Sequence, residues 1–219
     1  MAELIEAIKS YDTVKALSLI QSYSAAEFNY IDNAGYTPLI WACHNKMRDV
    51  ALALIKSGHS QPQYTMPNTD ITALQAACLY GLQDVAMALI ATGESRPEHV
   101  NKYGQTALMV SCCAKMSDVA MALILTDNAQ MEQTNNTDSA TSLMFACNNN
   151  MPDVAMALIM SGKSRPNHIN NAGNTALHYA KLHNMKGVIY ILENYDKYIA
   201  KLQKTNQYDD PNYVMTITI

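Results

Sequence analysis

Apolar residues recur along the chain in blocks that repeat every 34 or 35 residues. The block Asp49–Ile55 returns in nearly the same form three times further along the chain. A valine marks the same place in each of these copies and in a fifth, more divergent one: Val50, Val85, Val119, Val154 and Val188. Self-similarity at a fixed period of this length predicts a solenoid, in which successive units stack side by side and share one hydrophobic interior.

Each unit contains a second block, which begins with a threonine and keeps the same spacing. The threonines are Thr37, Thr72, Thr106, Thr141 and Thr175. In the first unit, the stretches 37–45 and 49–57 are each long enough for about two helical turns. Gly58, Gly93 and Gly162 follow the second stretch, where a helix favours a left-handed cap that glycine adopts without strain. Polar residues rich in Pro, Asn and Gly lead to the next threonine, so each unit is predicted to be helix, turn, helix and extended finger.

This unit resembles the ankyrin repeat. The first copy carries the motif as Asp32–Cys43, DNAGYTPLIWAC, and the fifth as Asn170–Ala180, NNAGNTALHYA. The resemblance implies an all-α ankyrin-repeat solenoid with five full repeats over residues 29–195. A capping half-repeat is expected at 1–28, and a cap helix extension and tail at 196–219. The Asn- and Met-rich style of the array also resembles ankyrin arrays of giant DNA viruses of protists.

One position departs from the family motif in a way that affects contacts between repeats. The histidine of the family's Thr-Pro-Leu-His motif is replaced by Ile40, Gln75, Met109 and Met144. The resemblance implies that the usual hydrogen bonds of this histidine between repeats survive only at His178. Elsewhere, packing is expected to take their place.

Both ends of the array carry apolar patterns of their own. At the start, two short helices that form a degenerate capping repeat are predicted from Leu4, Ile5, Ile8, Val14, Leu17 and Ile20, with Val14 lying 36 residues before Val50. At the other end, a stripe on one longer final helix is predicted from Val188, Leu192, Tyr195, Ile199 and Leu202. Apolar residues alternate with threonines in the tail Tyr213–Ile219. The tail either docks on a partner, as an added strand or as a C-terminal peptide ligand, or, as we favour, folds back on its own solenoid or is frayed.

Composition narrows the classes of partner and the compartment. A net charge of -4 with 15 Lys+Arg and no basic run does not attract nucleic acid. No apolar run is long enough to span a membrane, and the first residues lack the order of a secretion signal. Five cysteines are an odd number for a secreted disulfide framework. We therefore expect a soluble protein of the reducing cytoplasm, or of the host cytoplasm if it is viral, that binds neither nucleic acid nor membrane.

The residue types that carry chemistry are present but not in catalytic patterns. Four cysteines occupy one position in consecutive repeats: Cys43, Cys78, Cys112 and Cys147. Stacked helices lie about 8–10 Å apart, whereas ligands of one zinc ion sit about 2.3 Å from it, so the column is interpreted as small buried residues and Cys113 as the more exposed thiol. His178 and His183 are five apart, which does not bring two ligands onto one helix face. No metal, no cofactor and no catalytic residue is expected, and the protein is not predicted to be an enzyme.

A column of large apolar residues on the second helices permits two interpretations. Leu52, Met87, Met121 and Met156 fall at the edge of the apolar stripe on a helical wheel. They either pack against the same residue of the next repeat, which we favour, or form an exposed strip through which the protein assembles with itself.

The resemblance implies that a partner protein lies against the fingers and the exposed, concave side of the first helices. Carried onto this sequence, the binding positions are Asn33, Tyr36, His44, Asn45, Leu79, Tyr80, Lys102, Tyr103, Gln105, Asn148, Asn149, Asn171, Asn174 and His183. Tyr36, Tyr80 and Tyr103 are the expected anchors, because aromatic side chains supply contact area at low entropy cost. Trp41 is expected to pack between repeats. The predicted function is a monomeric protein-interaction scaffold. The alternative is a self-associating structural component, which assembles through the column on the second helices or through the C-terminal strand.

Overall fold

The structure, a computed structural model, describes residues 2–23, 28, 30–126 and 128–205. This part of the chain contains thirteen α-helices. An N-terminal pair is formed by α1 (Ala2–Lys9) and α2 (Thr13–Ser22). The first helices of the five repeats are α3 (Pro38–His44), α5 (Ala73–Leu79), α7 (Ala107–Cys113), α9 (Ser142–Asn148) and α11 (Ala176–Leu182). The second helices are α4 (Arg48–Lys56), α6 (Gln83–Ala91), α8 (Ser117–Leu125), α10 (Pro152–Met160) and α12 (Lys186–Glu193), and α13 (Tyr195–Thr205) follows.

The conserved spacing of the threonines has a local cause, because each one caps a first helix. In the first repeat, the Thr37 hydroxyl accepts a hydrogen bond of 3.2 Å from the backbone N–H of Ile40, and the other four threonines do the same. Such a cap satisfies an N–H group that the helix itself leaves unpaired, which is typically worth about 1 kcal/mol.

The second helices begin and end differently. No side chain caps their first turn, but Asp49, Asp84, Asp118 and Asp153 lie there, where a negative charge favours the helix dipole. Gly58, Gly93 and Gly162 follow the last turn with φ of +75, +72 and +66°, so the left-handed caps predicted from the sequence are confirmed.

The helices stack in two layers around one apolar interior. First helices contact the first helices of the neighbouring repeats, and second helices contact second helices. The five valines that mark the repeat are fully buried in a single core cluster. The row of valines predicted from the 34- or 35-residue spacing is confirmed, and the fold is the expected all-α solenoid.

The fingers alternate between two forms, which explains why the spacing alternates between 35 and 34 residues. In the third finger, the backbone N–H of Asn101 donates to the carbonyl of Gln105, four residues on, and the first and fifth fingers repeat this bond. In the fourth finger, the N–H of Asn135 donates to the carbonyl of Ala140, five residues on, and the second finger matches it. The even-numbered fingers therefore contain one residue more than the odd-numbered ones.

Neighbouring fingers are joined by a series of equivalent hydrogen bonds. A side chain in each finger donates to the carbonyl oxygen of the residue with positive φ in the preceding finger, always 29 residues earlier. The pairs are Tyr64 with Gly35, His99 with Asp70, Gln133 with Gly104, and His168 with Ser139. Because three different residue types (Tyr, His and Gln) would have to be recognised as equivalent donors, the repeat pattern alone did not reveal this series.

The sequence interpretation of both ends requires correction. α2 begins 35 residues before α4, so Val14 corresponds to Asp49 rather than to Val50, and it is 81% exposed. Ala16 and Ile20 are the buried residues of α2. The predicted long final helix is instead two helices, because α12 ends at Glu193, and Asn194 separates it from α13, which begins at Tyr195. The tail Tyr213–Ile219 lies outside the described residues.

The expectation for the motif histidine was wrong. Gln75, which replaces it in the second repeat, is 2% exposed, and its Nε2 donates to the carbonyls of His99 and Gln105 at 3.0 and 2.9 Å. His178 keeps the histidine but is exposed, since no further repeat of the described chain packs against the fifth one. At this motif position, the hydrogen bonds to the next repeat are therefore made by Gln75 and not by His178.

Candidate protein-binding surface

The exposed residues of the first helices and the fingers form one side of the solenoid, named here the first-helix face. The four helices α3, α5, α7 and α9 contain no Asp, Glu, Lys or Arg. In the fifth repeat, α11 carries Lys181, which pairs with Glu193 at 2.8 Å. Over four repeats, the helical part of this face is therefore uncharged.

Aromatic rings cluster on the first-helix face where the first and second repeats meet. The rings of Tyr36 and Trp41 have centroids 4.8 Å apart, and the ring of His44 lies 5.4 Å from that of Trp41 in an edge-on arrangement. The His44 ring also lies 5.2 Å from Tyr80 of the next repeat. These four residues, named here the aromatic cluster, bring together three of the predicted binding residues and Trp41, which was expected to pack between repeats.

A charged pair, formed by Lys9 of α1 and Asp32 of the first finger, holds Trp41 in place. Its Nε1 donates to Asp32 Oδ2 at 2.9 Å, and the Lys9 Nζ lies 3.0 Å from the same oxygen and 5.0 Å from the Trp41 ring centroid. Burial by itself would raise the pKa of Asp32, but hydrogen bonds from the Tyr36 N–H, Lys9 and Trp41 outweigh it and lower that pKa. Asp32 therefore remains a carboxylate at neutral pH and positions the indole from one side, leaving Trp41 half-buried.

A surface cleft of about 310 Å³ adjoins the aromatic cluster at its N-terminal end. It is lined by Ile5, Glu6, Lys9, Tyr30, Asp32, Asn33, Ala34 and Trp41. Lys9 and Asp32, which neutralise each other, form part of its lining. The cleft is large enough for one amino-acid side chain and extends the surface offered by the aromatic rings.

Other predicted binding residues lie further along the same face. Leu79 is 55% exposed on α5, next to Tyr80 of the aromatic cluster. Tyr103 is exposed on the third finger and is not one of the four rings of that cluster. Towards the C-terminal end, Asn148, Asn171 and His183 are exposed and polar, but Leu182, at the position of α11 equivalent to Leu79, is 67% exposed. The face therefore combines amide and apolar side chains at that end, without the contacting aromatic rings of the first two repeats.

Several predicted binding residues also hold the solenoid together. The Asn45 Nδ2 donates to the carbonyl of Ile8 at 2.9 Å, and Asn149 makes the equivalent bond to Cys112 at 3.2 Å. Lys102 Nζ donates to the carbonyl of Pro67 at 2.8 Å. Within the part of the chain that the structure describes, three further predicted binding residues make no side-chain hydrogen bond to another repeat. Asn33 is exposed, whereas Gln105 and Asn174 are half-buried.

The cysteine column lies inside the solenoid. Cys43, Cys78, Cys112 and Cys147 are buried, Cys113 is exposed on the first-helix face, and all five thiols are free. Burial raises the pKa of Cys43, Cys78 and Cys147 to about 12, and that of Cys112 is raised as well. The column thus consists of small, protonated core residues. Among the described residues, no group of three or more His, Cys, Asp or Glu could hold a metal ion.

The column of large apolar residues on the second helices is mostly packed. Leu52, Met121 and Met156 are half-buried against the core, and the Met156 Cε lies 3.6 Å from the Cβ position of Gly187. Met87 is 38% exposed. Packing against the core therefore accounts for three of the four residues, and Met156 also lies against the next repeat at Gly187. Within the described residues, no helix combines the length and hydrophobicity needed to cross a membrane.

Comparisons with known proteins identify the fold. Residues 121–201 match the family model of ankyrin repeats, which spans three copies of the repeat. No match was found among curated proteins. Ankyrin repeats generally mediate protein–protein interactions.

Solved structures resemble the chain over most of its length. An ankyrin repeat domain of Acinetobacter baumannii AYE (ABAYE2397) superposes with a TM-score of 0.70 and 20% identity, covering 87% of this chain and 96% of that one. A chain from the complex of the predatory endopeptidase Bd0816 of Bdellovibrio bacteriovorus with immunity protein Bd3460 gives 0.67 and 23%, covering 89% and 98%. The ankyrin repeat domain of Bcl-3 gives 0.65 and 21%, covering 88% and 85%. The resemblance to ankyrin repeats is confirmed.

Proposed function

We propose that this ankyrin-repeat solenoid is a non-enzymatic scaffold or adaptor, which binds a partner protein on its first-helix face. The observation that carries the proposal is the aromatic cluster, in which Tyr36, Trp41, His44 and Tyr80 meet on an uncharged surface that spans two repeats. Clustered aromatic residues are enriched among the few side chains that supply most of the binding energy of a protein interface.

The contacts of the aromatic cluster reduce the cost of binding. Each ring is already held by a neighbour, so a partner loses little energy in ordering side chains. Burial raises the pKa of Tyr80, which keeps its hydroxyl protonated and able to donate a hydrogen bond. Exposed polar residues on the same face, among them Asn33, Tyr103 and Asn171, are suited to the rim of such an interface.

The test is capture of partners from a native lysate by the full chain and by the double variant Tyr36→Ala, Tyr80→Ala. Loss of both tyrosines is expected to weaken capture at least about thirtyfold, since a single hot-spot side chain is worth about 2 kcal/mol and about 1.4 kcal/mol is a factor of ten. Adding Tyr103→Ala asks whether the interface extends to the third finger.

Tyr190→Ala is the matched control, because Tyr190 is 67% exposed on a second helix. It is expected to leave capture unchanged, and the melting temperatures of all variants should be compared. Retention of the same partners by the folded double variant would refute the binding site.

The self-associating alternative is favoured by a separate observation on the second helices. The central ones, α6, α8 and α10, each contain one charged residue, and Met87 and Leu125 are 38% and 81% exposed there. Light scattering over a range of concentrations separates the two functions. A dimer that dissociates in the variant Met87→Lys, Leu125→Lys would establish assembly through the exposed side of the second helices, whereas a constant monomer mass supports the scaffold.

As part of this proposal, the protein acts in the reducing cytoplasm and binds neither nucleic acid nor a membrane. The five free thiols and the net charge of -4 support it. Fractionation of cells that express the chain with an epitope tag would test the location.

A further inference from the structure

We infer that the tail Tyr213–Ile219 binds as an extended strand along the outer edge of the fifth finger and covers the C-terminal end of its own solenoid. This inference goes beyond the proposed function, because it concerns the end of the stack and not the first-helix face. It follows from backbone acceptors and apolar side chains at that end, and from the length and charge of the chain after α13.

The second, third and fourth fingers each use two neighbouring backbone carbonyls to bind the next finger. The carbonyls of Thr69, Tyr103 and Asp138 accept from backbone N–H groups of the following finger, at 3.1, 2.9 and 2.8 Å. The carbonyl one residue later accepts from a side chain of that finger, as Ser139 does from His168. A pair of acceptors on one finger is thus matched by donors on the next.

The fifth finger presents the same pair of acceptors at the end of the described stack. Ala172 and Gly173 occupy the equivalent positions, both are exposed, and no hydrogen bond reaches their carbonyl oxygens from any residue that the structure describes. Among these residues, nothing lies within 4 Å of a Cβ placed on Gly173, so another backbone can approach closely. An extended segment that adds to such an edge supplies the missing donors through its own N–H groups.

Apolar side chains next to this edge are also uncovered. Ile169 of the fifth finger is 60% exposed, whereas Val100, at the equivalent place in the third finger, is half-buried. Leu177, in the first turn of α11, is half-buried, although the equivalent leucine is fully buried in the four preceding repeats. These exposures persist although α13 packs against α12. An apolar surface therefore lies beside the two acceptor carbonyls.

The tail has a pattern that fits this surface. Alternate residues of an extended chain share a face. One face of the tail is formed by Tyr213, Met215, Ile217 and Ile219. The opposite face carries Val214, Thr216 and Thr218. The more apolar face can cover Ile169 and Leu177 while the backbone of the tail donates to the finger.

The chain between α13 and the tail is long enough to return to the fifth finger. α13 has 11 residues, so it is about 16 Å long at 1.5 Å per residue. Residues 206–212 can span about 23 Å at about 3.3 Å each, which brings Tyr213 back beside the start of α13. That start follows the end of α12, about 8–10 Å from the end of α11 that joins the fifth finger. The tail can therefore extend from there along the finger.

The charges of the fifth repeat favour an acidic segment. Residues 154–192 contain no Asp or Glu and four basic residues, Lys163, Arg165, Lys181 and Lys186. Residues 206–219 contain Asp209 and Asp210 and no Lys or Arg. The end of the solenoid and the segment that follows α13 thus carry opposite charges, which attract each other at low salt.

Neighbouring carboxylates do not reverse this balance. They are Glu132, Asp138, Asp153, Glu193 and Asp196. The first two belong to the fourth finger, about 10 Å behind the outer edge of the fifth, and the third lies in the first turn of α10, at the end away from the fingers. Glu193 pairs with Lys181 at 2.8 Å, and Asp196 is directly followed by Lys197.

Disulfide trapping in the full chain tests the inference. Cys113→Ala first removes the exposed thiol. Ile169→Cys is then combined in turn with Met215→Cys, Ile217→Cys and Ile219→Cys, so that the test does not depend on one register of the strand. At least one of these pairs is expected to form a disulfide within a single molecule on mild oxidation, read on non-reducing gels.

The matched control combines the same tail substitutions with Ile31→Cys. Ile31 occupies the equivalent position in the first finger and is 39% exposed. It lies at the other end of the solenoid, so its pairs should cross-link at least about tenfold more slowly than the best Ile169 pair.

Amide hydrogen exchange gives an independent measurement on the full chain. Residues 213–219 are expected to exchange at least about tenfold more slowly than their intrinsic rates. The variant Met215→Asp, Ile217→Asp, which places charges on the apolar face of the tail, should lose this protection. The control Thr216→Asp, Thr218→Asp, on the opposite face, should keep it.

Each outcome decides the inference. A disulfide within one molecule at Ile169 and not at Ile31, with protection that depends on the apolar face, supports it. A disulfide between two molecules would make the tail of a second copy the occupant and overturn binding within one chain. Equal cross-linking at both fingers, or exchange of residues 213–219 at intrinsic rates, would overturn docking on the fifth finger and leave the proposed function intact.

Discussion

The second and fifth repeats place similar sequences in different surroundings. Gln75 and His178 occupy the same position, yet Gln75 is buried and bonded to two carbonyls of the third repeat, whereas His178 is exposed. One helical turn further on, Cys78 is fully buried and Lys181 is exposed and paired with Glu193. The presence of a following repeat, and not the local fold, decides whether this side of a first helix is core or surface.

The hairpin glycines of the third and fifth fingers show the same contrast. Gly104 and Gly173 both have positive φ, of +73 and +79°. A Cβ on Gly104 would lie 2.8 Å from the backbone nitrogen of Asn136 in the next finger, whereas nothing lies within 4 Å of a Cβ on Gly173. At Gly104, both the left-handed backbone and the neighbouring finger require a residue without a Cβ. At Gly173, only the left-handed backbone does.

The largest predicted effect is that of Gln75→Ala. It leaves the carbonyls of His99 and Gln105 without the amide donor in a buried site, which is expected to lower the free energy of unfolding by about 3 kcal/mol. His178→Ala should change it by less than about 0.5 kcal/mol, since the ring is exposed. Urea denaturation measures both, and equal losses would contradict the comparison of interior and terminal repeats.

Gly104→Ala is expected to cost about 2 kcal/mol or more, because left-handed strain adds to the contact with the Asn136 backbone. Gly173→Ala should cost about 1 kcal/mol, from strain alone. Thermal denaturation of the two variants provides the measurement. A Gly173 variant as unstable as the Gly104 variant would show that the neighbouring finger contributes nothing.

Because of the buried cysteines, the free energy of unfolding is expected to fall as the pH rises above about 9. Burial raises the pKa of Cys78 in the folded protein to about 12, above the ordinary thiol value of 9.0, so folding keeps this thiol protonated. The protonated thiol contributes fully to the free energy of unfolding below pH 9. This contribution is lost as the pH rises from 9 to about 12, at about 1.4 kcal/mol per pH unit. The free energy of unfolding, measured by denaturation at several pH values above 9, should fall less steeply with pH in Cys78→Ala than in the unsubstituted chain. A slope identical to that of the unsubstituted chain would contradict burial of this thiol.

Cys113 is expected to have the smallest effect on stability. Cys113→Ala should change the free energy of unfolding by less than about 0.5 kcal/mol, because the side chain is exposed. The same change should remove the rapid reaction of the native protein with a thiol reagent, since the other four cysteines are buried. Rapid labelling that persists in Cys113→Ala would mean that the column opens to solvent.

Much of the fold was predictable because its signals lie within one repeat. The capping threonines, the left-handed glycines and the buried valines depend on contacts a few residues away or on the period itself. Val14 was misplaced because the degenerate first repeat offers no second block to align, and a shift of one residue moves a side chain from core to solvent.

The candidate site was predictable in outline. The resemblance selected Tyr36, His44 and Tyr80, which the structure brings into contact. It did not select Trp41, whose indole is held at the surface by Asp32 and by Lys9 of the N-terminal pair. The contact depends on two residues from outside the helix that contains Trp41, so no pattern within that helix indicates it.

The sequence by itself determined the repeating unit, its helices and turns, and the row of residues that every unit buries, because these depend on local backbone preferences and on a period of 34 or 35 residues. Only the tertiary structure decided which equivalent positions become core and which remain surface. Gln75 and His178 show the reason, since burial and hydrogen bonding of a side chain depend on whether another repeat packs against it.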